Sequence, residues 1–248
     1  MALVNTFLSE VRETIFVGRD SAFGPLPPLL LGMTVVTGLV DSFSYLVLGH
    51  VFVANMTGNV VFLAFALVGA PGFSIPASLT ALGAFGLGAV IGGRVGSTLA
   101  KHPARLVSIS TLIQATFMTV AVVLAALSGA MVTAGFRYGL IAVLGISMGI
   151  QNAAARKLAL PDLTTTVLTM TITGISADGP LAGRTGAKAG RRGLTVVAMF
   201  LGALVGALFI VHAQTVYPLA IGLVMVAGAS GVTRVLGASN PPWSEAQV

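Results

Sequence analysis

Val53-Ala-Asn-Met-Thr-Gly-Asn-Val-Val61 sets two asparagines, a threonine and a glycine between two segments that otherwise read as membrane. In lipid every backbone N–H and C=O needs a partner. A polar, helix-weakening run at that depth is therefore tolerated only where protein buries it or where it lines a cavity. A second polar run, Asp162-Leu-Thr-Thr-Thr-Val167, holds a similar place in the other half of the chain. The two runs read as the lips of one site.

Composition supports that setting. Hydrophobic residues make up 56% of the chain and charged residues 8%, with a mean hydropathy of +0.98. Soluble domains carry roughly 25% charged residues, so this chain cannot cover a water-facing surface and reads as an integral membrane protein. Its apolar stretches are long, which argues for helices over barrel strands. The absence of cysteine excludes disulfides, thiolate catalysis and cysteine metal sites. The net charge of +6 comes from basic residues scattered between apolar spans. That pattern is positive-inside topology, not a nucleic-acid surface. Residues 1–27 lack a basic start, apolar core and small-residue cleavage site, so they predict a short surface helix before Pro25 and no signal peptide.

Working outward from the first polar run, apolar segments fall at about 28–48, 56–68, 77–95, 106–127, 136–157, 163–175, 194–211 and 217–236. The segment at 163–175 is too short to cross a hydrocarbon core of ~30 Å and has the length of a re-entrant piece. If it and 56–68 both enter and return, the chain crosses six times. Every Lys and Arg except Arg137 then falls on one side, which the loop-charge rule makes cytoplasmic, with both termini.

Three matches recur in order between the halves. Gly38-Leu-Val-Asp41 aligns with Gly149-Ile-Gln-Asn152, Asn55–Asn59 with Thr164–Thr166, and Gly88-Ala-Val-Ile-Gly92 with Gly202-Ala-Leu-Val-Gly206. The outer two are offset by 111 and 114 residues. With three crossings per half, the halves insert with opposite topology, as in secondary transporters with discontinuous helices. The expected fold is an all-α polytopic transmembrane bundle of about six crossings, two short re-entrant or broken helices and two inverted structural repeats. It comprises an N-terminal surface segment (1–27), a first repeat (28–128), a second repeat (136–237) and a disordered tail (238–248).

The chain resembles the YoaK-like family of bacterial membrane proteins (domain of unknown function 1275). The resemblance rests on Thr37-Gly-Leu-Val-Asp-Ser-Phe-Ser-Tyr45, Val51-Phe-Val-Ala-Asn-Met-Thr-Gly-Asn59, Gly149-Ile-Gln-Asn-Ala-Ala-Ala-Arg-Lys157 and Pro161-Asp-Leu-Thr-Thr-Thr-Val-Leu-Thr169. It implies a polytopic inner-membrane protein of about six helices and brings no activity with it.

Asp41 is the one acidic residue inside a confident span. An intramembrane carboxylate is costly and by default functional. Its roles are proton or cation coupling, or a structural hydrogen bond to Asn55, Thr57 or Gln151. Asn55, Thr57 and Asn59, and Thr164, Thr165 and Thr166, each open a short apolar helix. The free N–H groups and positive dipole end there attract anions and carbonyl oxygens, although such residues also serve as caps. Gln151 and Asn152 are positioned to complete the site. No zinc spacing, nucleophile elbow or phosphate loop is present, so no metal, cofactor or catalytic constellation is expected. The sequence thus predicts a transporter or permease for a small polar or anionic solute, with a channel-like pore and a non-transporting sensor or scaffold as the alternatives. Beyond membrane lipid and that solute, the glycine faces at Gly88/Gly92 and Gly202/Gly206 suit either a homodimer or packing within one protomer.

Overall fold

The computed structural model describes residues 2–16, 23–129, 132–160, 168–179, 182–183, 188–239 and 241–244. Those residues form helices joined by short connections, with no strand among them. The helices are α1 (Ala2–Ile15), α2 (Leu26–Val47), α3 (Met56–Leu67), α4 (Ile75–Thr98), α5 (Pro103–Ser128), α6 (Ala134–Leu158), α7 (Leu168–Ala177), α8 (Ala189–Val211) and α9 (Tyr217–Gly237). Six of them, α2, α4, α5, α6, α8 and α9, are long and apolar enough to cross a membrane. The chain is a polytopic helical bundle, as its sequence leads one to expect. The other two apolar helices, α3 with 12 residues and α7 with 10, are too short to span. At 1.5 Å per residue they reach about 18 and 15 Å.

Proline opens α2, α4, α5 and α9 in their first turn, where its missing N–H costs no intrahelical bond. Ser74 caps α4 by accepting from the Ala77 N–H at 3.4 Å.

Glycines set how the long helices meet. Gly88 lies against the backbone of Ile146, Gly92 against Ile150 and Ala153, and Gly149 against the Phe85 carbonyl and the Ala89 amide. Numbers rise together along both helices, so α4 and α6 run parallel. Gly202 lies against the Val35 backbone, Gly206 against Leu39 and Ser42, and Gly38 against the Met199 carbonyl and the Ala203 amide. Thus α8 runs parallel to α2. Each partner in the first set maps onto the second by the offsets seen in the sequence, 111 from α2 to α6 and 114 from α4 to α8.

The remaining contacts respect the same exchange. α5 packs on α6 as α9 packs on α2, and α3 packs on α4 as α7 packs on α8. α5 and α9 lie against each other antiparallel, with Ala104 meeting Gly237 and Met118 meeting Gly222. Gly32 and Val36 of α2 face Met225 and Gly222 of α9, and Gln114 and Leu124 of α5 face Gln151 and Gly139 of α6. Both pairs are therefore antiparallel. Direction thus alternates through α2, α4, α5, α6, α8 and α9. Neither α3 nor α7 reverses it.

The two ends of the α3 segment meet through a side chain. His50, before the helix, lies 3.1 Å through Nδ1 from the Gly72 carbonyl after it. Tyr45, Phe52, Phe62, Phe65 and Phe73 join that histidine in a run of ring contacts.

Two expectations need correction. The glycine faces offered for a homodimer are occupied inside the chain, Gly88/Gly92 by α6 and Gly202/Gly206 by α2. Backbones approach so closely there that an added Cβ would strike main-chain atoms or the Ser42 hydroxyl. In the tail expected to lack structure, Pro242–Ser244 forms a 3-10 turn. Trp243 is buried with Leu26, Leu30 and Met33, because its large apolar ring finds a surface beside Gly24.

Candidate functional site

The Val53–Val61 run forms the turn into α3 and its first turns. Between the end of α2 and the start of α3 the chain is not helical, so its amides need partners from elsewhere. Asp41 on α2 supplies one. Its Oδ1 accepts from the N–H groups of Val53 at 3.2 Å and Ala54 at 3.0 Å. Asn59, one turn into α3, reaches back to Phe52, accepting its N–H at 2.9 Å and donating Nδ2 to its carbonyl. Asp41 and Asn59 are both buried. Together they hold the broken segment in place. In the structural reading of Asp41 its expected partner is the side chain of Asn55, Thr57 or Gln151. Its hydrogen bonds instead go to the main-chain amides of Val53 and Ala54, since the loop turns its backbone toward α2.

Held this way, the start of α3 faces a cavity of about 1080 Å³. Asn55, Met56, Thr57 and Gly58 line one wall, and Leu168 and Thr169, the first residues of α7, line another. Phe85, Ala89 and Gly93 of α4 and Met199 of α8 contribute an apolar flank. Asn152, Arg156 and Lys157 of α6 bring an amide and two cations. Asn55 makes no side-chain capping bond to α3. The first amides of a helix have no intrahelical partner and carry its positive dipole end. No carboxylate is among the described lining residues. This cavity suits an anion or a solute rich in carbonyl oxygens.

Of the residues singled out from sequence, Asn55, Thr57 and Asn152 come together on this cavity. Asp41 and Asn59 stand behind it and shape its wall. Gln151 points elsewhere. It donates to Thr37 Oγ1 at 2.8 Å and to the Met33 carbonyl at 3.2 Å, and accepts from Gln114 at 2.6 Å, locking α2, α5 and α6. Thr164, Thr165 and Thr166 lie outside the described residues. In the sequence Arg156 and Lys157 count toward topology and the family motif but not toward the site, yet Arg156 stands one turn beyond Asn152, and residues four apart share a helix face. That spacing was the signal.

The family described as "Protein of unknown function (DUF1275)" matches residues 29–232. The UPF0700 transmembrane protein YoaK of Bacillus subtilis (strain 168) is similar to this chain, 34% identical over 155 residues. The similarity covers 60% of this chain and 65% of that protein, a little under two thirds of its length. No solved structure matches.

Proposed function

The chain belongs to the DUF1275 family of membrane proteins, and from that premise we propose that it is a transporter for a small polar or anionic solute, set in the bacterial inner membrane with both termini in the cytoplasm. The observation that carries the reading is the cavity at the starts of α3 and α7, with Asn55, Thr57, Asn152, Arg156 and Lys157 on its walls. Two inverted halves built around it are supported by the exchange of partners between α2, α4 and α6, α8, and by the antiparallel α5–α9 pair. Re-entrant placement of α3 and α7 is supported by their length and by the alternation of the long helices around them. Transporters of this design bind solute near the bilayer midplane, where half-helix N-termini point at anionic groups. Catalysis is no part of this reading.

The chain lacks cysteine, so Thr57→Cys gives a single probe on the cavity wall. Reconstituted in liposomes, a transporter exposes this cysteine to impermeant thiol reagents from either side in turn, with reagent on one side protecting against the other. Reaction from one side alone under all conditions would point to a scaffold and end the transport reading. Simultaneous access from both sides, together with unsaturable ion flux, would replace it with a channel.

A further inference from the structure

Four buried side-chain oxygens have no hydrogen-bond partner among the described residues: Asp41 Oδ2, Ser147 Oγ, Gln114 Oε1 and Ser110 Oγ. Each belongs to a residue more than nine-tenths buried. Such groups are rare in native proteins and call for an explanation. These four stand on touching helices, α2, α6 and α5. Gln151 ties the three together through Thr37 and Gln114.

Their registers on the three helices place the four in one row. Asp41 is one turn beyond Thr37 on α2, and Ser147 is one turn before Gln151 on α6. Because α2 and α6 run in opposite directions, both steps lead toward the same end of the bundle, so Asp41 and Ser147 stand level. Ser110 lies one turn before Gln114 on α5, which steps the other way, toward the end where Lys101 and Arg105 flank the start of that helix. Residues one turn apart share a face and are separated by about 5.4 Å along the axis. That is about twice a hydrogen-bond length of ~2.8 Å, a spacing that a bridging water would span. Oxygens spaced by a turn cannot surround one calcium or magnesium ion, which takes six or more ligands within one coordination sphere. A proton needs one acceptor at a time.

We propose that Asp41 Oδ2 is a proton-binding site served by a file of bridging waters past Ser147, Gln114 and Ser110 to the basic end of the bundle. The proton arrives on Oδ2, and the carboxylate becomes a neutral carboxyl. Its other oxygen holds the Val53 and Ala54 amides, and Ala54 lines the cavity. Hydrogen bonds to an ionised acceptor are roughly twice as strong as neutral ones, so protonation loosens the wall at the start of α3. Proton and anion would then move together, with a monoanion electroneutrally. That coupling rests on the transport reading, whereas the proton site does not.

Tyr45 lies one turn from Asp41 on α2, and among the described residues no titratable group of the surrounding elements hydrogen-bonds Asp41. The ring of Tyr45 packs on His50 and Phe52, and His50 is exposed. On α6, Arg137 and Tyr138 lie over two turns beyond Ser147, with Arg137 beside Gly49. On α6 toward the other end, Arg156 and Lys157 face the cavity. Arg191, Arg192 and His212 sit at the ends of α8, and Tyr217 and Arg234 near those of α9. Glu10, Arg12 and Glu13 are on α1, whose Glu10 caps Gly190 at the start of α8. α3 carries none.

The test observes the proton itself. Infrared difference spectra of the full chain in lipid films are recorded as the bath is acidified, in H2O and in D2O. The expected result is a carboxylic C=O band that grows on acidification, shifts in D2O and disappears in Asp41→Asn, whose Oδ1 still accepts from Val53 and Ala54. Ser147→Val with Gln114→Leu is expected to slow its hydrogen exchange several-fold. If Asp41→Asn fails to fold, carbon-labelled aspartate in a chain whose other aspartates, Asp20, Asp162 and Asp178, are replaced by asparagine identifies the band. No such band across the pH range in which the chain stays folded would remove the proton site. A band whose exchange ignores the two substitutions would remove the water file. No cargo is needed, so a protonating Asp41 in a chain that fails the thiol-access test leaves the site standing and removes only the coupling.

Discussion

Ser108 and Ser230 exchange hydrogen bonds: the Ser108 hydroxyl donates to the Ser230 carbonyl at 3.4 Å, and the Ser230 hydroxyl donates to the Ser108 carbonyl at 2.9 Å. The two serines belong to α5 and α9, the last long helix of each half. The reciprocal bonds fix the two antiparallel helices at one level. Interhelical hydrogen bonds in membranes average ~0.6 kcal/mol each. Replacing both serines by alanine is therefore expected to cost about 1 kcal/mol, measured as loss of unfolding free energy in bicelles.

The glycine contacts predict a sharper asymmetry within short stretches of sequence. A Cβ on Gly202 would strike the Val35 carbonyl, whereas one on Gly83 meets nothing within 4 Å. Gly202→Ala should cost about 1–3 kcal/mol, the range for overpacking. Gly83→Ala should be neutral or stabilising by up to about 1 kcal/mol, since alanine is the better helix former. Thermal unfolding in detergent separates the two.

Those glycines also show what was legible beforehand. The offsets between halves, the six long helices and the two short ones follow from residue type and spacing, because apolar length reports depth in the membrane. Rotation about a helix axis does not follow. Gly88 and Gly202 were recognised as close-packing residues, but residue type alone did not say whether a neighbouring helix or a second copy meets them. Asp41 was recognised as costly, yet its partners are main-chain amides of Val53 and Ala54 that any sequence would supply there. Gln151 and Asn152 are adjacent, so they point to different faces: one into the helix network, the other onto the cavity.

The two bonds at Asp41 predict opposite fates for two substitutions. Asp41→Asn keeps an acceptor for both amides and should leave the chain folded. Asp41→Leu strands them in a buried site, at about 1–3 kcal/mol for each unsatisfied group. Size-exclusion profiles and Tm after extraction should show the leucine variant aggregated or strongly destabilised and the asparagine variant close to native. Equal behaviour would mean that Asp41 is not what holds the loop.

Helix direction predicts which ends share a side. Single cysteines at Thr133 and Gln214, in the α5–α6 and α8–α9 connections, should be labelled from one face of the membrane. Cysteines at Lys101 and Ser239 should be labelled from the other. The loop-charge rule makes the second face cytoplasmic, so intact cells treated with an impermeant maleimide should modify only the first pair. Labelling of Lys101→Cys together with Gln214→Cys would break the alternation.

Charge selection at the cavity separates an anion site from a merely polar one. Thr57 lies exposed on the wall shared with Arg156 and Lys157, and the described wall has no carboxylate to offset them. A site lined by one sign of charge raises the local concentration of the opposite ion. Relative to a free thiol, Thr57→Cys should therefore favour a negatively charged thiosulfonate over a positively charged one of similar size by about tenfold. The ratio should shrink toward that of a free thiol in Arg156→Gln/Lys157→Gln. Added salt should shrink it too, since screening shortens from about 10 Å at 0.1 M to about 3 Å at 1 M. A rate ratio matching that of a free thiol at low salt would leave a cavity without charge preference and shift the expected cargo to neutral polar solutes. A ratio more in favour of the cation than a free thiol shows would contradict the anion site outright.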